Sequence, residues 1–280
     1  MKTIITPIDF SDISLNAARY AISMAGYLKT SVTLFYVSPL PLSFSEFPQA
    51  PQILETMQQE AEGFMEKVKS DLQLPGSPIK IHTEVRSGNF LTTLIEFCEE
   101  NPTSPVMMSS HGKAGLEHLL LGGNTSELVT SISSPLFVIP REMIFSAPKK
   151  ILLTCDLEDV STTISTDFIK ELTQAFNSAL SVLHVKINEE EPYLARVIDE
   201  TKTLRLMLED LHPSYHFVTN TNTTTAILDF IELNDFDLLI GFPKKHSFLE
   251  KLFHKSQSKA LARVSTIPFL AIHGDRTDSQ

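Results

Sequence analysis

Two glycine-containing turns lie ten residues apart in the stretch SSHGKAGLEHLLLGGNTSELV, residues 109–129. The first turn contains Gly112, and the second, Gly122–Thr125, opens into a helix-like run. Glycine permits positive φ and lets the backbone approach a ligand closely. Asn124 with Glu127 three residues later resembles a capping box, and the N–H groups of a helix start attract phosphate. The pattern therefore fits a phosphate site, and it equally fits a plain loop followed by a capped helix.

Other catalytic patterns were tested against the same sequence. It contains neither the glycine–lysine pattern of a P-loop nor the Gly-x-Ser-x-Gly of a nucleophile elbow. His246 and His254 lack the accompanying cysteines or carboxylates of a zinc site. Asp9 and Asp156 follow apolar runs, and each could help to hold Mg²⁺ through a nucleotide or could only cap the next helix. The sequence therefore indicates no particular catalysed reaction.

Alternating strand and helix patterns position these residues. The runs TIITPID, SVTLFYVS, IKIHTEVRSG, PVMMSS and PLFVIP predict buried strands, and helical patterns lie between them. Such alternation predicts a parallel sheet with helices on both faces. Ligands of these sheets bind beyond the carboxyl ends of the strands. Asp9 and Val37 end the first two strands and residues 109–129 follow the fourth, so all three reach one edge.

The pattern occurs twice along the chain. KTIITPIDFSDIS near the start is repeated as KKILLTCDLEDVS at residues 149–161, and SSPLFVIP is repeated as STIPFLAI. Two further matches occur in the same order, which makes chance similarity of apolar strands a poor explanation. The repeat predicts two domains, residues 1–141 and 148–275. The second copy is about 14 residues shorter, mostly between its second and third strands.

Composition narrows the class of protein. The 280 residues carry a net charge of −11, which argues against a protein whose main role is to bind nucleic acid. No run approaches the ~20 apolar residues of a membrane span. The N-terminus enters a strand-like run directly, so we expect no signal peptide. Cys98 and Cys155 lie in apolar runs, which predicts buried thiols in a reducing compartment, and we expect a cytoplasmic protein.

The first copy resembles a universal stress protein domain of the adenine-nucleotide-binding kind. PIDFS, SHGKAGL and LLLGGNTSELV occur in the family's order. The family pattern is Gly, two residues, Gly, nine residues, then Gly-Ser/Thr. Here its positions hold Ser109, Gly112, Gly122 and Gly123, so two glycines are kept and two positions depart from the pattern.

The resemblance extends over the whole chain as two tandem domains. It implies an α/β fold of two open, doubly wound parallel-sheet domains of the nucleotide-binding (HUP-like) kind. It implies ATP, ADP or AMP as ligand, with Mg²⁺ as a further option, and it assigns adenine contacts to Asp9 and Val37. The full set of residues that it assigns to the nucleotide is Pro7, Ile8, Asp9, Val37, Met108, Ser109, Gly112, Gly122, Gly123, Asn124 and Thr125.

Departures from the family pattern weaken this expectation in the first copy and remove it in the second. Ser109 adds a side chain where backbone should approach the ligand, and Gly123 lacks the usual hydroxyl. In the second copy Gly241 keeps the first position, but Lys244 and His254 replace the other two glycines. We therefore expect a weakened site in the first copy and none in the second. The lysine-rich stretch after Gly241 fits a solvated basic face, or a site for phosphate or an acidic partner.

The last strands of the two copies are expected to pair. PLFVI and PFLAI are short and apolar, and an uncovered edge strand of that kind promotes aggregation. The resemblance implies that Pro135–Ile139 runs antiparallel to Pro268–Ile272, which makes the chain an internal pseudo-dimer. A homodimer and further protein partners are compatible with this arrangement.

The resulting interpretation is a cytoplasmic tandem universal stress protein without enzymatic activity. Its first domain would bind an adenine nucleotide, its second domain would be degenerate, and its role in the stress response would be regulatory. A nucleotide-free protein-interaction scaffold of the same fold is the alternative, and a slow ATP hydrolase is a third reading.

Overall fold

A computed structural model describes residues 2–39, 50–109, 128, 131–186, 195–243 and 267–273. The chain divides into two compact units. The first comprises Met1–Ser109 with Glu142–Phe145, and the second comprises Ser110–Arg141 with Ser146–Gln280.

The first unit contains a four-stranded parallel sheet in the order β3-β2-β1-β4. Its strands are β1 (Thr3–Pro7), β2 (Ser31–Ser38), β3 (Ile81–Ser87) and β4 (Val106–Ser109). Its helices are α1 (Asp12–Leu28), α2 (Ala50–Leu72) and α3 (Phe90–Glu100). Every residue of β1 is buried, as expected for a central strand covered on both faces.

Local signals fix both ends of α1. The Ser11 side chain caps its start by accepting a hydrogen bond from the Ser14 N–H. The negative charge of Asp12 in the first turn is stabilised by the positive end of the helix dipole. Lys29 ends the helix in the left-handed conformation, with φ of 51°. Alanines on the buried face of α1 allow it to lie close to the sheet.

The second unit contains strands in the order β5-β10-β9-β6-β7-β8. They are β5 (Leu136–Ile139), β6 (Lys150–Thr154), β7 (Ala179–Lys186), β8 (Ser214–Thr219), β9 (Leu238–Gly241) and β10 (Phe269–Ala271). The helices are α4 (Val160–Thr163), α5 (Asp167–Phe176), α6 (Ala195–Met207) and α7 (Thr223–Asn234), with a 3₁₀ turn at Glu209–Leu211.

The sequence repeat is reproduced in individual backbone hydrogen bonds. The Ile8 N–H donates to the carbonyl of Phe35 at 2.8 Å, and the Cys155 N–H donates to that of Leu183 at 3.1 Å. These residues occupy equivalent places after β1 and β6. The turns that end α1 and α5 also match, because Lys29 and Asn177 both have positive φ. The tandem α/β architecture predicted from the sequence is therefore confirmed.

The predicted pairing of the last strands is confirmed as well. β5 and β10 are antiparallel neighbours, with Leu136 opposite Ala271 and Val138 opposite Phe269. This pairing places β5, which belongs to the first sequence copy, in the second compact unit. The compact units therefore do not follow the sequence repeats. The predicted boundaries at residues 141 and 148 delimit the two repeats in the sequence, and as domain boundaries they stay a prediction.

The second copy departs from the first in its helices. A single helix, α1, follows β1, whereas α4 and α5 follow β6 and are separated by an extended residue, Ile164. The helix between the second and third strands has 23 residues in the first copy and 13 in the second. This difference accounts for most of the length by which the copies differ. Both Cys98 and Cys155 are buried, as predicted.

Candidate functional site

The register of the first sheet brings the strand-end residues together. Pro7 pairs with Phe35 across β1 and β2, so Asp9 follows the end of β1 and Val37 lies near the end of the neighbouring strand. Ile5 pairs with Val106 across β1 and β4. Ser109 is the last residue of β4, so it lies at the same edge of the sheet.

Asp9 organises the turn between β1 and α1. Its Oδ1 accepts hydrogen bonds from the Ser11 N–H at 3.0 Å and the Ser11 hydroxyl at 2.5 Å. The Asp9 N–H donates to the Ser14 hydroxyl at 3.3 Å. Asp9 therefore holds the turn that precedes α1, whereas the cap of the helix is Ser11. These bonds also hold an exposed carboxylate in one orientation at the carboxyl edge of the sheet.

Pro7, Ile8 and Val37 form the apolar part of this edge. Pro7 and Ile8 are buried, whereas Val37 is half-buried. The next residue, Ser38, accepts a hydrogen bond through its carbonyl from the Gly88 N–H at 3.0 Å. The ends of β1, β2 and β3 are thereby fixed relative to one another, as a strand-end binding surface requires.

Ser109 occupies the first glycine position of the family pattern, and its side chain is 4% exposed. Among the residues that the structure describes, its hydroxyl has no hydrogen-bond partner. The preceding residue of β4, Met108, is half-buried. The serine side chain that departs from the family pattern is thus buried where β4 ends.

The glycine-rich part of the predicted site lies outside the described residues. This applies to Gly112, Gly122, Gly123, Asn124 and Thr125, and in the second copy to Lys244 and His254. Their assignment to phosphate, or to obstruction of phosphate, stays a prediction.

An exposed aromatic surface beside Asp9 was missed by the sequence reasoning. Phe10 and Tyr36 have ring centroids 4.8 Å apart and planes inclined by 50°. Phe64 of α2 approaches Phe10 edge-on, with centroids 6.1 Å apart. The signal was available in the sequence, because Phe10 follows Asp9 and Tyr36 precedes Val37, the two residues assigned to adenine.

Arg86, which pairs with Val37 in the β2–β3 register, is committed to a structural network. Its Nη1 and Nη2 donate to the carboxylate of Glu100 at 2.7 and 2.6 Å, and its Nε donates to Glu84 at 2.9 Å. The guanidinium also lies 4.7 Å from the centre of the Phe97 ring. The hydrogen bonds to Glu100 raise the pKa of Arg86, and the guanidinium lowers the pKa of Glu100.

In the second copy, side chains of α6 contact the turn that follows β6. Glu200 of α6 accepts a hydrogen bond from the Val160 N–H at 2.9 Å, and Arg196 of α6 forms an ion pair with Glu158 at 3.0 Å. Asp156 keeps its turn, because its Oδ1 accepts from the Glu158 N–H at 3.2 Å. Helix α6 is therefore joined directly to the turn that the first copy caps with its own serine.

Buried polar groups lie at the ends of β6, β7 and β8. The His184 Nδ1 lies 2.9 Å from the carbonyl oxygen of Cys155. Burial raises the pKa of the Tyr215 hydroxyl, which the Arg205 guanidinium over its ring partly opposes. Among the described residues, no group of three or more histidine, cysteine, aspartate or glutamate side chains is arranged to hold a metal ion.

Two tandem parallel-sheet units, each with a structured turn where its first strand ends, place the chain in the class of doubly wound α/β proteins. The sequence profile of the Universal stress protein family matches residues 1–140. The chain belongs to that family.

Related proteins match half of the chain in sequence, and a solved structure matches the whole chain in fold. The chain is 32% identical over 146 residues to "Universal stress protein MJ0531" of Methanocaldococcus jannaschii, an alignment that covers 50% of this chain and 82% of that protein. It is 23% identical over 159 residues to "Universal stress protein MJ0577" of the same organism, covering 50% and 96%. A crystal structure of a universal stress protein from Archaeoglobus fulgidus has a TM-score of 0.69 at 17% identity. It covers 98% of this chain and 97% of its own, so this fold spans both copies.

The described part of the chain was also searched for membrane spans. None of its helices is both long enough and apolar enough to cross a bilayer.

Proposed function

We propose that the first copy binds an adenine nucleotide and that occupancy of this site regulates what the protein contacts. The observation that carries the proposal is that Asp9 follows β1 and Val37 lies near the end of the neighbouring strand β2, so both are at the carboxyl edge of a parallel sheet. Doubly wound folds place their ligands at this edge. An oriented carboxylate can accept hydrogen bonds from an exocyclic amine, and a strand end offers backbone donors and acceptors to a flat base.

The phosphates would extend towards Gly112 and the helix start that the sequence predicts at Gly122–Thr125. Backbone N–H groups at a helix start favour negative charge by about 0.3–1 kcal/mol, and by more when partly buried. Mg²⁺ would accompany ATP through the phosphates. The protein would act in the cytoplasm by binding and regulation, and not as an enzyme.

The second copy would not bind nucleotide. Helix α6 contacts Glu158 and Val160, in the turn beside which a base would lie. Lys244 and His254 would add side chains where the family uses glycine. Regulation would therefore depend on one nucleotide per chain.

A nucleotide-free scaffold of the same fold is the second candidate. One observation favours it, because the Asp9 Oδ1 already accepts two hydrogen bonds from Ser11. In this case the turn at Asp9 would serve only to start α1.

Titration calorimetry with ATP, ADP and AMP, with and without Mg²⁺, separates the two candidates. A nucleotide at ~100 times its dissociation constant should stabilise the fold by about 2.7 kcal/mol, which is measurable as a rise in melting temperature. Asp9→Asn should weaken binding by roughly tenfold while retaining a capping oxygen. Asp156→Asn is the matched control in the second copy and should leave binding unchanged. No heat and no thermal shift with millimolar nucleotide would establish the scaffold instead.

A further inference from the structure

The aromatic surface of the first copy continues directly from the two residues assigned to the base. Phe10 follows Asp9, and Tyr36 precedes Val37. Asp9 and Val37 lie at the ends of the neighbouring strands β1 and β2, and the rings of Phe10 and Tyr36 are in contact. The Asp9 carboxylate and the two aromatic rings therefore lie close together where strands β1 and β2 end.

Phe10 presents its ring to solvent although it is a large apolar residue. Its side chain is 38% exposed, and that of Phe64 beside it is 60% exposed. Tyr36 is half-buried and lies behind Phe10. One aromatic ring is thus held in place by two others and keeps a surface available at the edge. Such a platform suits a flat ligand, because stacking requires a ring whose orientation is already fixed.

The second copy shows that the backbone of this turn does not require an aromatic residue. Leu157 is the equivalent of Phe10, with φ of 55° against 62°. It is 2% exposed, and His184, the equivalent of Tyr36, is 4% exposed. The turn is therefore a property of the fold, whereas the exposed aromatic ring distinguishes the copy in which we place a ligand from the copy in which we place none.

We propose that Phe10 stacks against the heteroaromatic base of the ligand and determines how strongly this site prefers a ligand with a base. The inference rests on the proposed function and names a residue outside the set that the family pattern assigns. Asp9 and Val37 would supply the directional hydrogen bonds, and Phe10 would supply contact area. Tyr36 and Phe64 would act as positioning residues, because each touches the Phe10 ring.

The substitution Phe10→Leu tests the proposal with a residue that the same turn already accepts in the second copy. It should leave the melting temperature of the ligand-free protein nearly unchanged and weaken ATP binding by on the order of tenfold, within the range measured for base–aromatic stacking. Phe10→Tyr keeps a ring and should bind ATP within about twofold of the unsubstituted protein. Tyr27→Leu removes a more exposed aromatic side chain far along α1 and should have no effect on binding.

Nuclear magnetic resonance supplies a readout that a structural role would not change. Transferred Overhauser effects should connect adenine H2 and H8 of bound ATP to phenyl protons of the protein. These effects should be lost in Phe10→Leu and kept in Tyr27→Leu.

The outcomes separate this proposal from the proposed function. If the unsubstituted protein binds ATP, and Phe10→Leu binds it equally well with the same Overhauser effects, the stacking role is overturned and nucleotide binding stands. If the unsubstituted protein binds no nucleotide at millimolar concentration, both are overturned.

Discussion

A designed disulfide between β5 and β10 tests the pairing that joins the two sequence copies. Leu136 and Ala271 are opposite one another in the antiparallel register. Directly opposed residues of antiparallel strands have Cα atoms ~4.5–5.5 Å apart, which lies within the range of disulfides. Leu136→Cys combined with Ala271→Cys should therefore form a bond on mild oxidation, because little backbone movement is needed.

The stabilisation expected from this bond follows from the loop that it closes. The loop between positions 136 and 271 is longer than 100 residues, and cross-linking one of 100 residues restricts the unfolded chain by about 4.7 kcal/mol in the chain-entropy model. Engineered bonds commonly deliver less, so we expect about 3–4 kcal/mol. At ~2–4 °C per kcal/mol, the melting temperature should rise by roughly 10 °C.

Comparing the oxidised and reduced forms of the same variant cancels the cost of replacing Leu136. Electrophoresis under non-reducing conditions and peptide mass mapping would identify the bond, and calorimetry would measure the thermal shift. Leu136→Cys with Phe269→Cys is the off-register control, since Phe269 lies opposite Val138. Equal bonding in both variants, or bonding only in the control, would refute the register and with it the pairing of the copies.

Two further predictions concern the edge strand β3 and its surroundings. Gly88 has φ of 150°, and an added Cβ would lie 2.7 Å from the Thr93 Oγ1, so Gly88→Ala should destabilise the protein by about 1–3 kcal/mol in chemical denaturation. Gly63→Ala in α2 has open space around it and should instead stabilise by about 0.5–1 kcal/mol, so shifts of the same sign would contradict the stated geometry. Arg86 lowers the pKa of Glu100, so this pair stabilises the fold above the ordinary glutamate pKa and loses its effect as pH falls through the lowered value. Glu100→Gln should therefore be less stable than the unsubstituted protein at pH 7, and this difference should shrink as pH falls below the ordinary glutamate pKa; a difference that stays unchanged in acid would disprove the assignment.

Strand positions were predictable because burial on both faces leaves a clear apolar signal. The run SVTLFYVS coincides with β2, Ser31–Ser38. The same logic predicted that Asp9 and Val37 lie at one edge of the sheet, since consecutive parallel strands end at the same edge. It also anticipated β5 beside β10, because two short apolar strands that close their domains need partners.

Features that depend on contacts between distant residues were not predictable. The sequence after Cys155 matches that after Ile8, which predicts one helix, yet α4 ends at Thr163 and α5 begins at Asp167. Several β-branched residues weaken helix propensity there. The first turn is capped by Glu200, which lies 40 residues along the chain. A local pattern carries no information about such a cap.

The burial of Ser109 was also beyond a one-dimensional pattern. A serine in a glycine position suggested obstruction of the ligand, because the pattern says that a side chain is added and not whether it is buried. In the structure this side chain is 4% exposed.

The two copies share a backbone turn and differ in what surrounds it. Phe10 and Leu157 adopt nearly the same positive φ, and Asp9 and Asp156 both accept hydrogen bonds at the start of the next helix. In the first copy the cap is supplied within the turn by Ser11, which leaves aromatic surface exposed beside it. In the second copy Glu200 of α6 supplies the cap, and Leu157, the equivalent of Phe10, is 2% exposed. The two strand ends thus differ in the source of one hydrogen bond and in the exposure of one side chain, in addition to the change in the glycine pattern.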